Sequence, residues 1–284
     1  MCGVFGYVRK PGIKTENKAL FNLITSVAEC SIVRGEHATG YAAKIGENYV
    51  SEKAPLPSTY FVDTPAWTKL ADNMPERLIG HVRFATRGNP SDNRNNHPFQ
   101  SRRYYLVHNG VLTHNEYSDN KRLCRSECDS EVILRVLQQG PGIVEGTRRV
   151  FATLRHSSFA CLVLDKKTGA VYMFRTSDKP LRVWRGEDII LIASTDEILE
   201  NAFIDAFGIR SAEIKGLFKW TPKSGHLYTI TAGLEVPDAV MVEARTRPYI
   251  SKTKPRFPYI TGLGYPEDFE RLKVDHDAFV CYGD

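Results

Sequence analysis

Residues 3–8, Gly3-Val4-Phe5-Gly6-Tyr7-Val8, predict a short strand that starts almost at the terminus. The spacing of Leu20, Leu23, Ile24 and Val27 then predicts a helix capped by Thr15. Arg34-Gly35 opens a polar loop that ends at Gly40, and residues 41–52 predict a hairpin turning near Gly46-Glu47-Asn48. Asp63-Thr64-Pro65 predicts a helix start, because proline fits the first helical turn. Strands are expected from Leu78 to Thr86 and from Tyr104 to His108, flanking a loop over 87–97 that is rich in Asn, Asp, Arg and Gly. His108-Asn109-Gly110 falls where a turn is expected. A helix beginning at Asp129 carries Val132, Ile133, Val136 and Leu137 on one side and stops at Gly140-Pro141; another is expected over 143–155.

The chain then becomes strand-rich. Residues 159–165 and 170–176 predict a pair joined by Lys166-Lys167-Thr168-Gly169, and 181–184 and 188–194 a pair joined by Arg185-Gly186-Glu187. A helix is expected over 195–207, with two more strands over 212–220 and 225–232. Trp184 and Trp220 are read as core or sheet-face residues. This order predicts a layered α+β fold, not a strict βαβ alternation. No internal repeat of 20–50 residues is visible. Composition changes near the C-terminal end: residues 245–256 hold five basic side chains and no acid, whereas 267–284 hold six acids against Arg271 and Lys273. The expected organisation is a domain over 1–240 and an extension over 241–284 that wraps the domain or meets a partner.

Composition narrows the class. Across 284 residues, 42% hydrophobic and 25% charged exclude wholesale disorder. A formal charge of +5 falls short of a nucleic-acid-coating protein, so no nucleic-acid partner is expected. No stretch reaches the roughly 18 apolar residues of a membrane span. Arg9, Lys10 and Pro11 interrupt the N-terminal segment before an apolar run develops, so no signal peptide is expected. Six scattered cysteines suggest reduced thiols and a cytoplasmic setting.

Four places could carry chemistry. If Met1 were removed, Cys2 would hold a thiol beside a free α-amine, a nucleophile with its own base; it could equally be an arbitrary cysteine. Arg83, in Gly80-His81-Val82-Arg83-Phe84-Ala85-Thr86, could present its fork to a carboxylate or join a surface ion pair. Asn109 and the Gly110 N–H could donate to an oxyanion, or Asn-Gly could be a plain hairpin turn. Asp129 could hold an ammonium group or cap the helix that follows it. Cys124 and Cys128, near His108 and His114, lack the second pair of a zinc module, and no metal is assigned. The basic and aromatic run from Arg247 to Tyr259 is read as a solvated segment held extended by prolines.

Together these blocks resemble the class II glutamine amidotransferases, whose glutaminase domain is an N-terminal nucleophile hydrolase. Met1-Cys2-Gly3-Val4-Phe5-Gly6 is similar to that family's opening, and Arg34-Gly35-Glu36-His37-Ala38-Thr39-Gly40 to its Arg-Gly-x-Asp-Ser-x-Gly loop. Gly80–Thr86 resembles its glutamine-loop strand, and Asn96-His97-Pro98-Phe99 its Asn-Ala-His-Pro stretch. His108-Asn109-Gly110 and Asp129-Ser130-Glu131 match two further blocks in family order, and the likeness covers about residues 1–240. His37 stands where the family usually has Asp, Phe84 where Trp or Tyr is common, and Arg87 where His is frequent in one branch.

The resemblance implies a four-layer αββα sandwich with two mainly antiparallel sheets. It implies that Cys2 attacks the side-chain amide of glutamine, that its α-amine shuttles the proton, and that Asn109 and Gly110 stabilise the oxyanion. Arg83 would bind the substrate α-carboxylate, and Asp129, with Gly110 nearby, the α-ammonium. Thr86 and His97 would help build the pocket, and Arg34 and Gly35 would form its loop. Ammonia would leave and water would resolve a γ-glutamyl thioester, with no cofactor or metal. No Gly-x-x-x-x-Gly-Lys-[Ser/Thr] or Gly-x-Gly-x-x-Gly fingerprint is present. The expectation is therefore a free-standing glutaminase that passes ammonia to a separate synthase subunit. Hydrolysis of an N-γ-glutamyl adduct, or a catalytically silent binding protein on the same fold, remain alternatives.

Overall fold

A computed structural model of the chain describes residues 2–12, 17–234 and 239–243. Thr15, the basic run and the acidic tail lie outside the described residues. The elements begin with β1 (Gly3–Arg9), α1 (Asn17–Cys30), β2 (Ala38–Ile45), β3 (Asn48–Ala54), α2 (Ser58–Phe61), α3 (Pro65–Thr68) and β4 (Arg77–Arg83). They continue with β5 (Phe99–Gln100), β6 (Tyr104–Val111), α4 (His114–Asn120), α5 (Ser130–Leu137) and α6 (Ile143–Thr153). The remainder is β7 (Ser158–Asp165), β8 (Val171–Arg175), β9 (Arg182–Arg185), β10 (Ile189–Ala193), α7 (Asp196–Phe207), β11 (Phe218–Trp220), β12 (His226–Ile230) and β13 (Val240–Met241).

Two sheets form. One has seven strands in the order β11-β9-β10-β1-β4-β2-β3; the other has six, in the order β13-β12-β8-β7-β6-β5. Their pairings are antiparallel. Alternation along each strand creates the layers, because successive side chains leave a strand on opposite faces. On β1, Phe5 and Tyr7 pack with Leu23, Ile24 and Val27 of α1 and Ile198, Leu199 and Ala202 of α7. Val4 and Val8 pack the other way, against Tyr105, Val107, Ala160 and Leu162 of the second sheet. That sheet's outer residues, Leu106, Phe159, Cys161 and Val163, meet Val132, Ile133 and Val136 of α5 and Val150 and Phe151 of α6. The result is the expected αββα order.

Three expectations change. His108-Asn109-Gly110 is not a turn: β6 runs on to Val111, pairing Asn109 with Ala160 and Gly110 with Phe159 on β7. Cross-strand pairing overrides the local Asn-Gly preference. The strand expected over 212–220 shrinks to Phe218–Trp220, since Ser211–Glu213 is a single 3-10 turn. Asp129 does not cap α5 through its side chain; its own backbone is already helical. At the expected 240/241 division, β13 spans the boundary and pairs with β12, and Val242 is buried.

Candidate active site

The same alternation sorts the chemistry. Cys2 shares the parity of Val4, so it belongs to the inter-sheet side at the start of β1. On β4, Leu78 and Val82 face the helices and Ile79 the second sheet; His81 and Arg83 share the parity of Ile79. On β6, Tyr105 and Val107 face between the sheets, and Asn109 continues that row. Cys2 and Arg83 thus come from one sheet and Asn109 from the other.

Cys2 is held by the backbone of Phe84, just beyond β4. Its Sγ accepts from the Phe84 N–H at 3.3 Å and donates to the Phe84 carbonyl at 3.4 Å. Gly3 must be small: a Cβ there would lie 2.8 Å from Val82 Cγ2 and 2.9 Å from Arg34 Cβ. Arg34 Nε donates to the Cys2 carbonyl at 3.2 Å. A Cβ on Gly35 would lie 2.4 Å from both the Arg83 carbonyl carbon and the Phe84 nitrogen, so Arg34-Gly35 forms a close-fitting wall. Burial pushes the Cys2 thiol above its ordinary value; the Phe84 N–H and the Arg83 charge oppose this, and the Asp129 charge adds to it. The sulfur therefore feels both charged groups that the sequence singled out, and it needs a base to ionise near neutrality.

Arg83 is buried and organises the loop that follows it. Its Nη1 donates to Asn96 Oδ1 at 2.7 Å, and its Nη2 to the carbonyls of Arg87 at 2.5 Å and Gly88 at 3.0 Å. It is no surface ion pair. Asn96 in turn donates to the Pro90 carbonyl at 2.7 Å, while Lys53 Nζ reaches the Asn96 carbonyl at 2.7 Å. Thr86 sits on the exposed part of this loop. His37, unassigned from the sequence, accepts the Ala85 N–H on Nδ1 at 2.9 Å and stacks on Phe84 with ring centroids 5.1 Å apart.

On the opposite sheet, Asn109 is 2% exposed and its Nδ2 has no hydrogen-bond partner. A buried amide donor left unpaired costs about 1–3 kcal/mol, so it marks a place where an acceptor is missing. Gly110 has φ +157°, and a Cβ there would lie 2.0 Å from the Ser158 carbonyl oxygen. Only glycine fits. His81 Nε2 lies 3.0 Å from the His108 carbonyl, and His108 Nδ1 lies 2.8 Å from Ser130 Oγ, which tie β6 to β4 and α5. His97 is buried against His81, with ring centroids 3.8 Å apart and both ring nitrogens unpartnered. Burial lowers the imidazoles of His81, His97 and His108, so these rings are neutral. Asp129 Oδ2 accepts the Leu112 N–H at 2.9 Å, just past the end of β6. Glu131 takes the N–H groups of Arg125 at 2.9 Å and Ser126 at 2.7 Å, in the loop before the helix. No group of His, Cys, Asp and Glu among the described residues is arranged to hold a metal ion, and no helix among them is long and apolar enough to cross a membrane.

The sequence reading missed Lys53, and named His37, Asn96 and Ser130 only within motif blocks, without a role. Each acts on a segment distant in sequence or through a loop carbonyl, and no local pattern encodes that.

Likeness to known proteins agrees with this geometry. The chain is 28% identical over 223 residues to a Bacillus thuringiensis protein named glutamine–fructose-6-phosphate aminotransferase [isomerizing], covering 70% of this chain and 34% of that one. It is 34% identical over 126 residues to the protein of that name from Pectobacterium atrosepticum, covering 41% of this chain and 20% of that one. The chain thus spans about a third of the length of the first of these relatives. Among solved structures, glutamine phosphoribosylpyrophosphate amidotransferase from B. subtilis, complexed with ADP and GMP, superimposes with a TM-score of 0.63 at 18% identity, over 85% of this chain and 49% of that one. A structure described as the allosteric regulatory enzyme of purine biosynthesis superimposes with a TM-score of 0.57 at 18% identity, over 81% of this chain and 47% of that one. No family model matches the chain. The chain shares the fold of these two structures, with its two antiparallel sheets between helices. In sequence the chain is similar to part of these aminotransferases, a likeness of the class II glutamine amidotransferase type.

Proposed function

We propose that this domain hydrolyses the side-chain amide of glutamine to glutamate and ammonia, using Cys2 as an N-terminal nucleophile once processing has left it first in the chain. The α-amine of Cys2 takes the thiol proton as Sγ attacks the amide carbon. The carbonyl electron pair moves to oxygen, where Asn109 Nδ2 and the Gly110 N–H receive it. Collapse breaks the C–N bond, and the proton passes to the leaving nitrogen, so ammonia departs from a γ-glutamyl thioester. Water, deprotonated by the same amine, then attacks the thioester and restores the thiol. The raised Cys2 thiol makes that amine necessary. Arg83 binds the α-carboxylate and Asp129 the α-ammonium; His97 and the Arg34-Gly35 wall shape the pocket, with Thr86 on the loop above it. The domain covers about residues 1–240, and the ammonia passes to a synthase partner.

The observation that carries this reading is the unpaired Asn109 Nδ2, buried on the inter-sheet side to which Cys2 belongs. Its test is ammonia release from glutamine by protein whose intact mass shows Cys2 first, compared with Cys2→Ala and with a form retaining Met1. Turnover confined to the processed wild type supports the proposal. Inert glutamine alongside rapid cleavage of bulky γ-glutamyl amides overturns it in favour of the adduct hydrolase. Inertness toward both overturns it in favour of a silent binding protein.

A further inference from the structure

We propose that His37 is a positioning residue that latches the Phe84–Ala85 segment onto the Cys2 sulfur; the part of this concerning catalysis rests on the reading of Cys2 as nucleophile. Four contacts support it. The His37 backbone N–H donates to the Arg83 carbonyl at 2.9 Å, anchoring the residue at the end of β4. Its ring stacks on Phe84, which is 45% exposed. Its Nδ1 accepts the Ala85 N–H at 2.9 Å. The peptide that carries the Ala85 N–H also carries the Phe84 carbonyl that accepts from Cys2 Sγ, and the preceding peptide, whose Arg83 carbonyl the His37 N–H holds, carries the Phe84 N–H that donates to it. His37 and Phe84 lie on the helix side of the sheet by strand parity and Cys2 on the other, so the imidazole never touches the sulfur and acts only through the backbone between them.

The latch has a protonation requirement. An imidazole accepts on Nδ1 only while neutral, with its proton on Nε2; a second proton turns Nδ1 into a donor that faces the Ala85 N–H. Asparagine carries its oxygen the same number of bonds from Cβ as histidine carries Nδ1 and does not titrate, whereas phenylalanine keeps the stacking and loses the acceptor.

The test compares wild type, His37→Asn and His37→Phe. Amide exchange at Ala85, normalised to its intrinsic rate, is expected to rise about five- to tenfold in His37→Phe, the loss of one ordinary hydrogen bond, and to stay near wild type in His37→Asn. Glutaminase kcat is expected to fall in His37→Phe and return in His37→Asn. Unchanged Ala85 exchange in a folded His37→Phe, or exchange in His37→Asn as fast as in His37→Phe, overturns the latch whatever the enzyme does. If the exchange responds but wild type releases no ammonia, the latch stands and the reading of Cys2 has failed.

Discussion

Replacing Asn109 by leucine separates a structural from a chemical role, because the two predict opposite signs. Leucine has nearly the same shape and lacks the amide donor. In the folded protein Asn109 is 2% exposed and its Nδ2 is unpaired, so the side chain carries a desolvation penalty with no compensating bond. A penalty of that kind is about 1–3 kcal/mol, so its removal leaves stability unchanged or raises it by about 1 kcal/mol. In a chain of this size that is a rise in Tm of about 2–4 °C at most. The reaction behaves in the contrary way, since losing one oxyanion donor lowers kcat by about 10²–10³, equivalent to about 2.7–4 kcal/mol of the barrier. Thermal melts and steady-state ammonia release on the same preparations make the comparison. A variant destabilised by more than about 2 kcal/mol that keeps most of its turnover would show that the amide supports the fold and not an oxyanion.

Gly110→Ala should be the reverse case: the new Cβ would lie 2.0 Å from the Ser158 carbonyl, so denaturant melts are expected to show a loss of about 3 kcal/mol or more. Burial holds His81, His97 and His108 below the ordinary imidazole range. The unfolded chain therefore binds protons at these rings below about pH 6.5 while the folded chain does not, and stability is lost as pH falls through that window. Melting temperatures measured across it should decline, less steeply in His97→Phe, and a flat profile would contradict the assignment. The raised Cys2 thiol should make its alkylation slow near neutrality, with a rate still climbing through about pH 8.5, where an ordinary thiol is half ionised. Cys2→Ala supplies the blank, and an early plateau would count against burial raising the thiol.

The order of the layers was legible only through the family resemblance: Val4, Phe5, Tyr7 and Val8 are all apolar, so local alternation predicts a strand but does not say which face meets the helices and which the second sheet. The site blocks were legible as short motifs whose order made them specific. What could not be read depends on who sits opposite. Asn109-Gly110 carries a strong turn signal, and only the ladder to Phe159 and Ala160 keeps it extended. Asp129 looks like a cap until Leu112, seventeen positions earlier, takes its carboxylate. Residues 212–217 have strand-like composition but no neighbouring strand to pair with them. His37 draws its meaning from Ala85, and Asn96 from Arg83, contacts that span 48 and 13 positions.

The sulfur and the orphan amide are mounted on different sheets, with Val4, Ile79, Val107, Ala160 and Leu162 filling the gap between them. Stacked sheets stand about 10 Å apart, and here that thickness is set by the bulk of a handful of aliphatic side chains. The apolar filling is thus a gauge block: trimming Val107 or Leu162, neither of which has a chemical role, alters how far one half of the chemistry must reach to meet the other.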